Sequence, residues 1–467
     1  MNTSGLLALA GLNALFAAAG VGVLAAIRGF GSWGAIGRQL GLAHMAGFAL
    51  VGLISTELLV AGLGIGVAET VGVSLGLLVA GLAVGRARRL PLPPLQRPSR
   101  GSLAPRIGLD ALGVVPAVLV VLIALALLRS GFAQGLMEWD AWAFWVPKGA
   151  GIFSFGHLDL ELFVSTAAPS YPILIPTLDA LAFHFMGTVD AVTLHAQYAL
   201  LGCGFVFGTV GLLRPRVPRL VVWPFVGLPL LAGDFQYFSI APLADLPLDY
   251  LFALGFLSLT LWLVDRTPAT LVLAGVFFAA AIATKREGLL FVAAAVGAAL
   301  VVTVREARRR WPPLLAVVIA AWAVNLPWRF WWQSRGIVDQ SSPVSFHGLF
   351  AHADRIGPGI RIVLTLLFAE GRWTIVAPLA VATIVALVLA RLHGVAAFFV
   401  LAMGLCAAGL VWILWSIDSL PLDTSDQTPI PRAVGAIILA TAATLPLLLH
   451  LAWQAAGSRR SPVEAVA

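Results

Sequence analysis

The chain has 467 residues, 60% of them hydrophobic and 11% charged, with a mean hydropathy of +0.96. Soluble domains carry roughly 25% charged residues, so this composition excludes an ordinary soluble protein, and no ~10-residue alternating segments point to a β-barrel. The formal charge of +7 lies in short loops between apolar runs, which gives no reason to expect a nucleic-acid partner.

Apolar runs near 20 residues long recur along the chain and predict a polytopic all-α membrane protein. The first, Leu6 to Ile27, has no basic leader and no cleavage site, and reads as a retained span. Thirteen transmembrane helices are predicted, near residues 5–27, 43–64, 67–85, 108–129, 190–213, 219–237, 246–264, 268–284, 288–304, 312–332, 373–390, 394–415 and 433–454. The apolar stretches Pro172–Met186 and Arg361–Phe368 are too short to cross ~30 Å of hydrocarbon, and are expected as interfacial helices in outer loops.

The segment Arg86–Arg106 is rich in proline, arginine and glycine and reads as a linker. It divides the chain into an accessory three-span unit (1–90), a basic cytoplasmic linker (91–107), a transmembrane core (108–455) and a cytoplasmic tail (456–467). Further basic clusters follow at Arg214, Arg216 and Arg219, at Arg305, Arg308, Arg309 and Arg310, and at Arg459 and Arg460. With thirteen spans all four clusters share one side, which the positive-inside rule makes cytoplasmic, with the C-terminus. All but four of the 22 acidic residues then fall on or toward the outer side, as a wet outer cavity lined with carboxylates would require.

Glu138-Trp139-Asp140-Ala141-Trp142-Ala143-Phe144-Trp145-Val146-Pro147-Lys148 stands where a span leaves the hydrocarbon. At helical spacing Asp140, Phe144 and Lys148 share one face, and Trp139 and Trp142 another. The tryptophans read as an interfacial belt that would turn Asp140 toward the cavity, with Glu138 as a second candidate carboxylate. Asp245, in Ala244-Asp245-Leu246-Pro247, opens a span at its outer end; it is either functional or a carboxylate favoured by the helix dipole. Lys148 and Lys285 are the only lysines in a chain whose usual cation is arginine, and each could hold a phosphate as a point charge. Arg432 opens the last span, where its guanidinium could fork to phosphate oxygens or simply snorkel. The two cysteines, Cys203 and Cys406, lie inside apolar runs and suggest neither a disulfide framework nor a metal cluster.

One order of segments gathers these residues: an apolar span, Trp139-Asp140-Ala141-Trp142, Ala168-Pro169-Ser170-Tyr171-Pro172, Ala244-Asp245-Leu246-Pro247, Thr284-Lys285-Arg286-Glu287-Gly288, and a late loop ending in an Arg-opened span. This order resembles the GT-C superfamily of integral membrane glycosyltransferases, relatives of the dolichyl-phosphate-mannose-dependent protein mannosyltransferases. The resemblance covers roughly residues 108–455, and its motifs are short. It implies a GT-C-like core and a polyprenyl-phosphate sugar as donor, with a lipid or glycan as acceptor and no cofactor. It also implies Asp140 as the catalytic carboxylate, and Lys285 and Arg432 as the cations for the donor phosphate. Relatives usually carry an Asp before the Tyr-Pro pair, where this chain has Ser170. The rival expectation is a transporter or lipid flippase, which would need polar residues at mid-membrane on facing spans.

Overall fold

Inside a bilayer the chain itself must satisfy its backbone N–H and C=O groups, and helices do so locally. The computed structural model describes residues 3–92, 113–131, 135–338, 352–417, 422 and 429–457, and every regular element among them is helical. Most of the basic linker, residues 339–351 of the Trp332–Gly357 loop, and the tail from 458 lie outside the described residues.

The main helices are α1 (Thr3–Ile27), α2 (Leu40–Val60), α3 (Val67–Ala87), α4 (Val114–Gly131), α5 (Val146–Phe155), α6 (Leu174–Met186), α7 (Ala191–Leu213) and α8 (Arg219–Gly227). They continue as α9 (Asp245–Asp265), α10 (Pro268–Thr284), α11 (Glu287–Val302), α12 (Ala307–Ala323), α13 (Leu326–Ser334), α14 (Ile356–Leu367), α15 (Val376–Leu389), α16 (His393–Ser416) and α17 (Pro429–Gly457). Eight stretches are long and apolar enough to cross a membrane: α1, α2, α3, α7, α9, Val304–Ser334, α16 and Ile430–Gly457. Six more apolar helices are shorter: Val114–Leu127, α6, Arg219–Leu231, α10, α11 and α15.

Some predicted spans are broken by chemistry that a hydropathy average conceals. The run 219–237 forms α8, a 3₁₀ turn at Pro229–Leu231 and a short helix at Gly233–Phe238. Helix α8 runs through Pro224, but Pro229, which has no N–H to donate, stands where it gives way to the 3₁₀ turn. The run 312–332 likewise divides into α12 and α13 ahead of Pro327.

The element expected on the membrane interface, α6, is instead enclosed by protein. Ten successive residues, Leu174 to Phe183, are buried, with α5, α1 and α2 packed around them. A helix that is apolar all round finds its partners inside the fold. Its one acid, Asp179, accepts a hydrogen bond from the Tyr198 hydroxyl at 3.0 Å.

The N-terminal three helices pack against one another and also on α7, α6 and α10. The α1–α2 crossing depends on two glycines. A Cβ on Gly20 would lie 1.7 Å from the Ala43 carbonyl oxygen, and one on Gly47 would lie 1.7 Å from that of Phe16. Small residues let helices approach this closely where dispersion rather than water drives association.

Helix α9 is the centre of the bundle, buried from Asp245 to Trp262 and packed by α10, α17 and α7. Its two ends carry different chemistry. At the C-terminal end Asp265 pairs with Arg216, and Arg266 and Arg310 pair with Glu306 at 3.4 and 2.9 Å. At the N-terminal end, about 30 Å away by helix rise, stands Asp245.

Candidate functional site

The candidate site is assembled where three helix ends and one loop segment meet. Arg432 is in the first turn of α17, Asp245 is the first residue of α9, and Lys285 caps the C-terminus of α10. Asp140 arrives from the segment after α4.

That segment does not continue as a regular α-helix from Asp140. Residues Ala141–Trp145 form a π-helical turn, and α5 follows with Pro147 in its first turn. The i→i+5 spacing of a π turn shifts the faces that regular periodicity would give. Trp139 and Trp142 are exposed, with ring centroids 6.1 Å apart, whereas Phe144 and Trp145 are buried. Asp140 therefore faces Arg432, while Lys148 turns into the protein.

Arg432 bridges two carboxylates. One terminal nitrogen lies 2.7 Å from Asp140 Oδ2 and the other 3.6 Å from Asp245 Oδ2. Lys285 approaches Asp245 from the other side, with Nζ 2.8 Å from Oδ1, and also reaches Glu287 Oε1 at 3.2 Å. Burial opposes the charge on Lys285, but Asp245 and Glu287 outweigh it and hold the ammonium above its usual range. The order Asp140–Arg432–Asp245–Lys285–Glu287 is thus a chain of alternating charge.

The residues differ in access. A cavity of about 800 Å³ is lined by Glu138, Trp139, Asp140, Asp234, Tyr237 and Arg432, among others. Asp245 and Lys285 do not line it; they lie behind Arg432, 3% and 5% exposed. The shared cluster expected from the sequence is present, but only Glu138, Asp140 and Arg432 of it face open space. Asp234, also in the lining, pairs with Arg372 at 3.1 Å.

Lys148 lies apart from this chain of charge. Its Nζ donates to the Ala168 carbonyl at 2.6 Å and sits over the Phe144 and Phe163 rings at 5.3 and 5.5 Å. Burial, aided by the charge of Arg286, pushes its ammonium down to about 7. Ala168 has a positive φ of 50°, unusual for a residue with a side chain. Three donors hold this turn: Lys148 on Ala168, Trp328 Nε1 on the Ser170 carbonyl at 3.3 Å, and Arg286 on the Ser170 hydroxyl. Arg286 also stacks on Tyr171 at 4.9 Å. Ser170 is thus a buried serine within a structural turn.

Two members of the cluster carried little sequence signal. Glu287 stands two residues after Lys285 and reads as a helix N-terminal acid. Asp249 lies one turn below Asp245, buried, and neither of its carboxylate oxygens has a hydrogen-bond partner among the described residues. A Cβ on Gly435 would come within 2.3 Å of Asp249 Oδ2, so α17 can approach α9 there only as glycine. Among the described residues, no group of three or more His, Cys, Asp or Glu side chains is arranged to hold a metal ion.

Comparison of the chain with protein-family models, curated proteins and solved structures returns no match.

Proposed function

We propose that this protein is an inverting membrane glycosyltransferase that moves a sugar from a polyprenyl phosphate to an acceptor hydroxyl at the extracytoplasmic face. The observation that carries the reading is Arg432, held between Asp140 and Asp245 on the wall of a cavity at the ends of apolar helices. A carboxylate and a fork-shaped phosphate donor set stand side by side where a lipid headgroup and water would meet.

The reading takes thirteen spans: the eight long apolar helices plus 114–127, 219–231, 268–284, 287–302 and 376–389, with α6 held inside the protein. Arg216, Arg266 and Arg310 then gather at the end of α9 opposite Asp245, and positive-inside makes that end cytoplasmic. The GT-C resemblance supports the same orientation. Trp139 and Trp142 would sit at headgroup level, and the cavity would open sideways for the prenyl tail.

The chemistry follows from competition for one guanidinium. An incoming phosphate takes the fork of Arg432, a bidentate pairing that arginine favours. Asp140 is released and accepts the proton of the acceptor hydroxyl. The acceptor oxygen bonds to the anomeric carbon as the carbon–phosphate-oxygen bond breaks, and the electron pair leaves with polyprenyl phosphate. Attack opposite the leaving group inverts the anomeric centre. Arg432 neutralises the leaving charge. Lys285 and Glu287 act through Asp245, which aims Arg432; Glu138 keeps the cavity mouth acidic.

The flippase reading draws on polar residues facing one another between helices. The Asn13 amide donates to Gln197 Oε1 at 2.7 Å, and its oxygen lies 2.6 Å from His44 Nε2. These groups satisfy one another, as interhelical hydrogen bonds do. Sugar transfer is therefore the better-supported reading.

The test is transfer from a panel of polyprenyl-phosphate sugars by purified protein in liposomes. Asp140→Asn should lower turnover by ~10²–10⁴-fold with folding intact, the usual contribution of a general base. Near-normal turnover of that variant would remove Asp140 from the mechanism. Lipid scrambling without transfer by the wild type would favour the flippase.

A further inference from the structure

A second cavity lies at the opposite end of the bundle. It is a groove of about 730 Å³ bounded by α1, α2, α4, α7 and α8. Its walls are largely apolar, with Ala14, Ala117 and Phe207 among them, and Asn13 and His44 also line it. Three arginines from separate helix ends join this lining: Arg38 before α2, Arg214 after α7 and Arg219 opening α8. No Asp or Glu lines it among the described residues.

The helix ends are held together locally. The Gln39 side chain donates to the Gly211 carbonyl at 2.9 Å, joining the start of α2 to the end of α7. Arg216, two residues after Arg214, pairs with Asp265 at the C-terminal end of α9. The arginine end of the groove therefore lies about one α9 length from Asp245, some 30 Å by helix rise. A phosphate at these arginines cannot also be at Arg432.

We infer that this groove binds an anionic glycerophospholipid from the bilayer, with its phosphate among Arg38, Arg214 and Arg219 and an acyl chain along the apolar wall. An apolar trough with a cationic mouth, and with no acidic lining among the described residues, matches a molecule with a hydrocarbon tail and a negative head. Basic pockets between membrane helices recognise such headgroups by the same complementarity. The occupant belongs to the leaflet opposite the candidate catalytic site, so this inference does not depend on the glycosyltransferase reading.

The experiment is native mass spectrometry of the detergent-purified full chain titrated with phosphatidylglycerol, phosphatidylcholine or polyprenyl phosphate. Each arginine near a membrane surface contributes roughly fivefold, so Arg38→Gln/Arg214→Gln/Arg219→Gln should weaken phosphatidylglycerol about 100-fold. Arg305→Gln/Arg308→Gln/Arg309→Gln removes the same charge outside the groove and should leave affinity unchanged. Ala14→Trp fills the apolar wall at an exposed position, keeps every arginine, and should weaken phosphatidylglycerol at least tenfold; it carries the test if the triple variant does not fold. Three results would each overturn the inference: wild-type affinity in the folded groove variants, displacement of phosphatidylglycerol by equal phosphatidylcholine, or preferential binding of polyprenyl phosphate that the arginine substitutions abolish.

Discussion

Lys285→Met removes the central cation of the buried chain of charge while keeping side-chain length. Its Nζ serves Asp245 at 2.8 Å and Glu287 at 3.2 Å, and the three side chains are 5%, 3% and 14% exposed. Breaking a buried pair leaves an uncompensated charge, which costs about 3–5 kcal/mol. Arg432 remains 3.6 Å from Asp245 and offsets part of this, so the lower end, about 3 kcal/mol, is expected. Asp245→Asn should cost about 1–3 kcal/mol, because Lys285 keeps Glu287 as a partner. In the double variant Asp245 no longer leaves a charge facing a missing cation, although Glu287 still does, so the two losses should fall short of additive by at least ~1.5 kcal/mol. The assay is SDS titration in mixed micelles, followed by circular dichroism, for the four members of the cycle. Losses that add to within ~0.5 kcal/mol would mean that Lys285 and Asp245 act independently, and would refute the buried pair.

In the same assay Gly435→Ala should cost about 1–3 kcal/mol, since its Cβ would fall 2.3 Å from Asp249 Oδ2, and Asp249→Ala should recover most of that loss; no loss in the single variant would contradict the α9–α17 contact. For Lys148, in the loop helix α5, burial takes the ammonium from its ordinary 10.5 down to about 7. Between those values the unfolded chain holds a proton that the folded chain lacks, so stability should rise with pH across the window. Lys148→Met should flatten that slope in unfolding titrations at pH 7 and pH 10, and an unchanged slope would assign the dependence elsewhere. On a background of Cys203→Ala and Cys406→Ala, Glu161→Cys should react with an impermeant maleimide in intact cells and Arg305→Cys should not; the reverse pattern would invert the proposed orientation.

Much of this architecture is legible in the sequence because lipid is a demanding solvent. An ionisable residue at a span end is rare enough to notice, so Asp140, Asp245, Lys285 and Arg432 stand out before any fold is known. What joined them was less visible. The π turn at Ala141–Trp145 leaves no mark in a 3.6-residue pattern, and that pattern had placed Lys148 with Asp140. Pairing hides behind composition in the same way: Lys285 looks like an available cation, and only distance reveals that Asp245 and Glu287 already occupy it. Hydropathy sums also run across breaks, which is why 219–237 reads as one span although the turn at Pro229–Leu231 divides it. The opposite error concerns α6, whose length was read correctly but whose neighbours were not, since apolar sequence cannot distinguish lipid from protein as its surroundings.

Helix α9 is fixed at both ends, by Lys285 and Arg432 on Asp245 and by Arg216 on Asp265. A shaft pinned this way cannot slide by even one residue without unseating two sets of ions together. Any breathing of the cavity must therefore come from the pieces that lean against the shaft, chiefly the Trp139–Lys148 segment and the first turns of α17. Asp140 rides on one of those leaning pieces and Arg432 on the other, so the contact between them doubles as the latch.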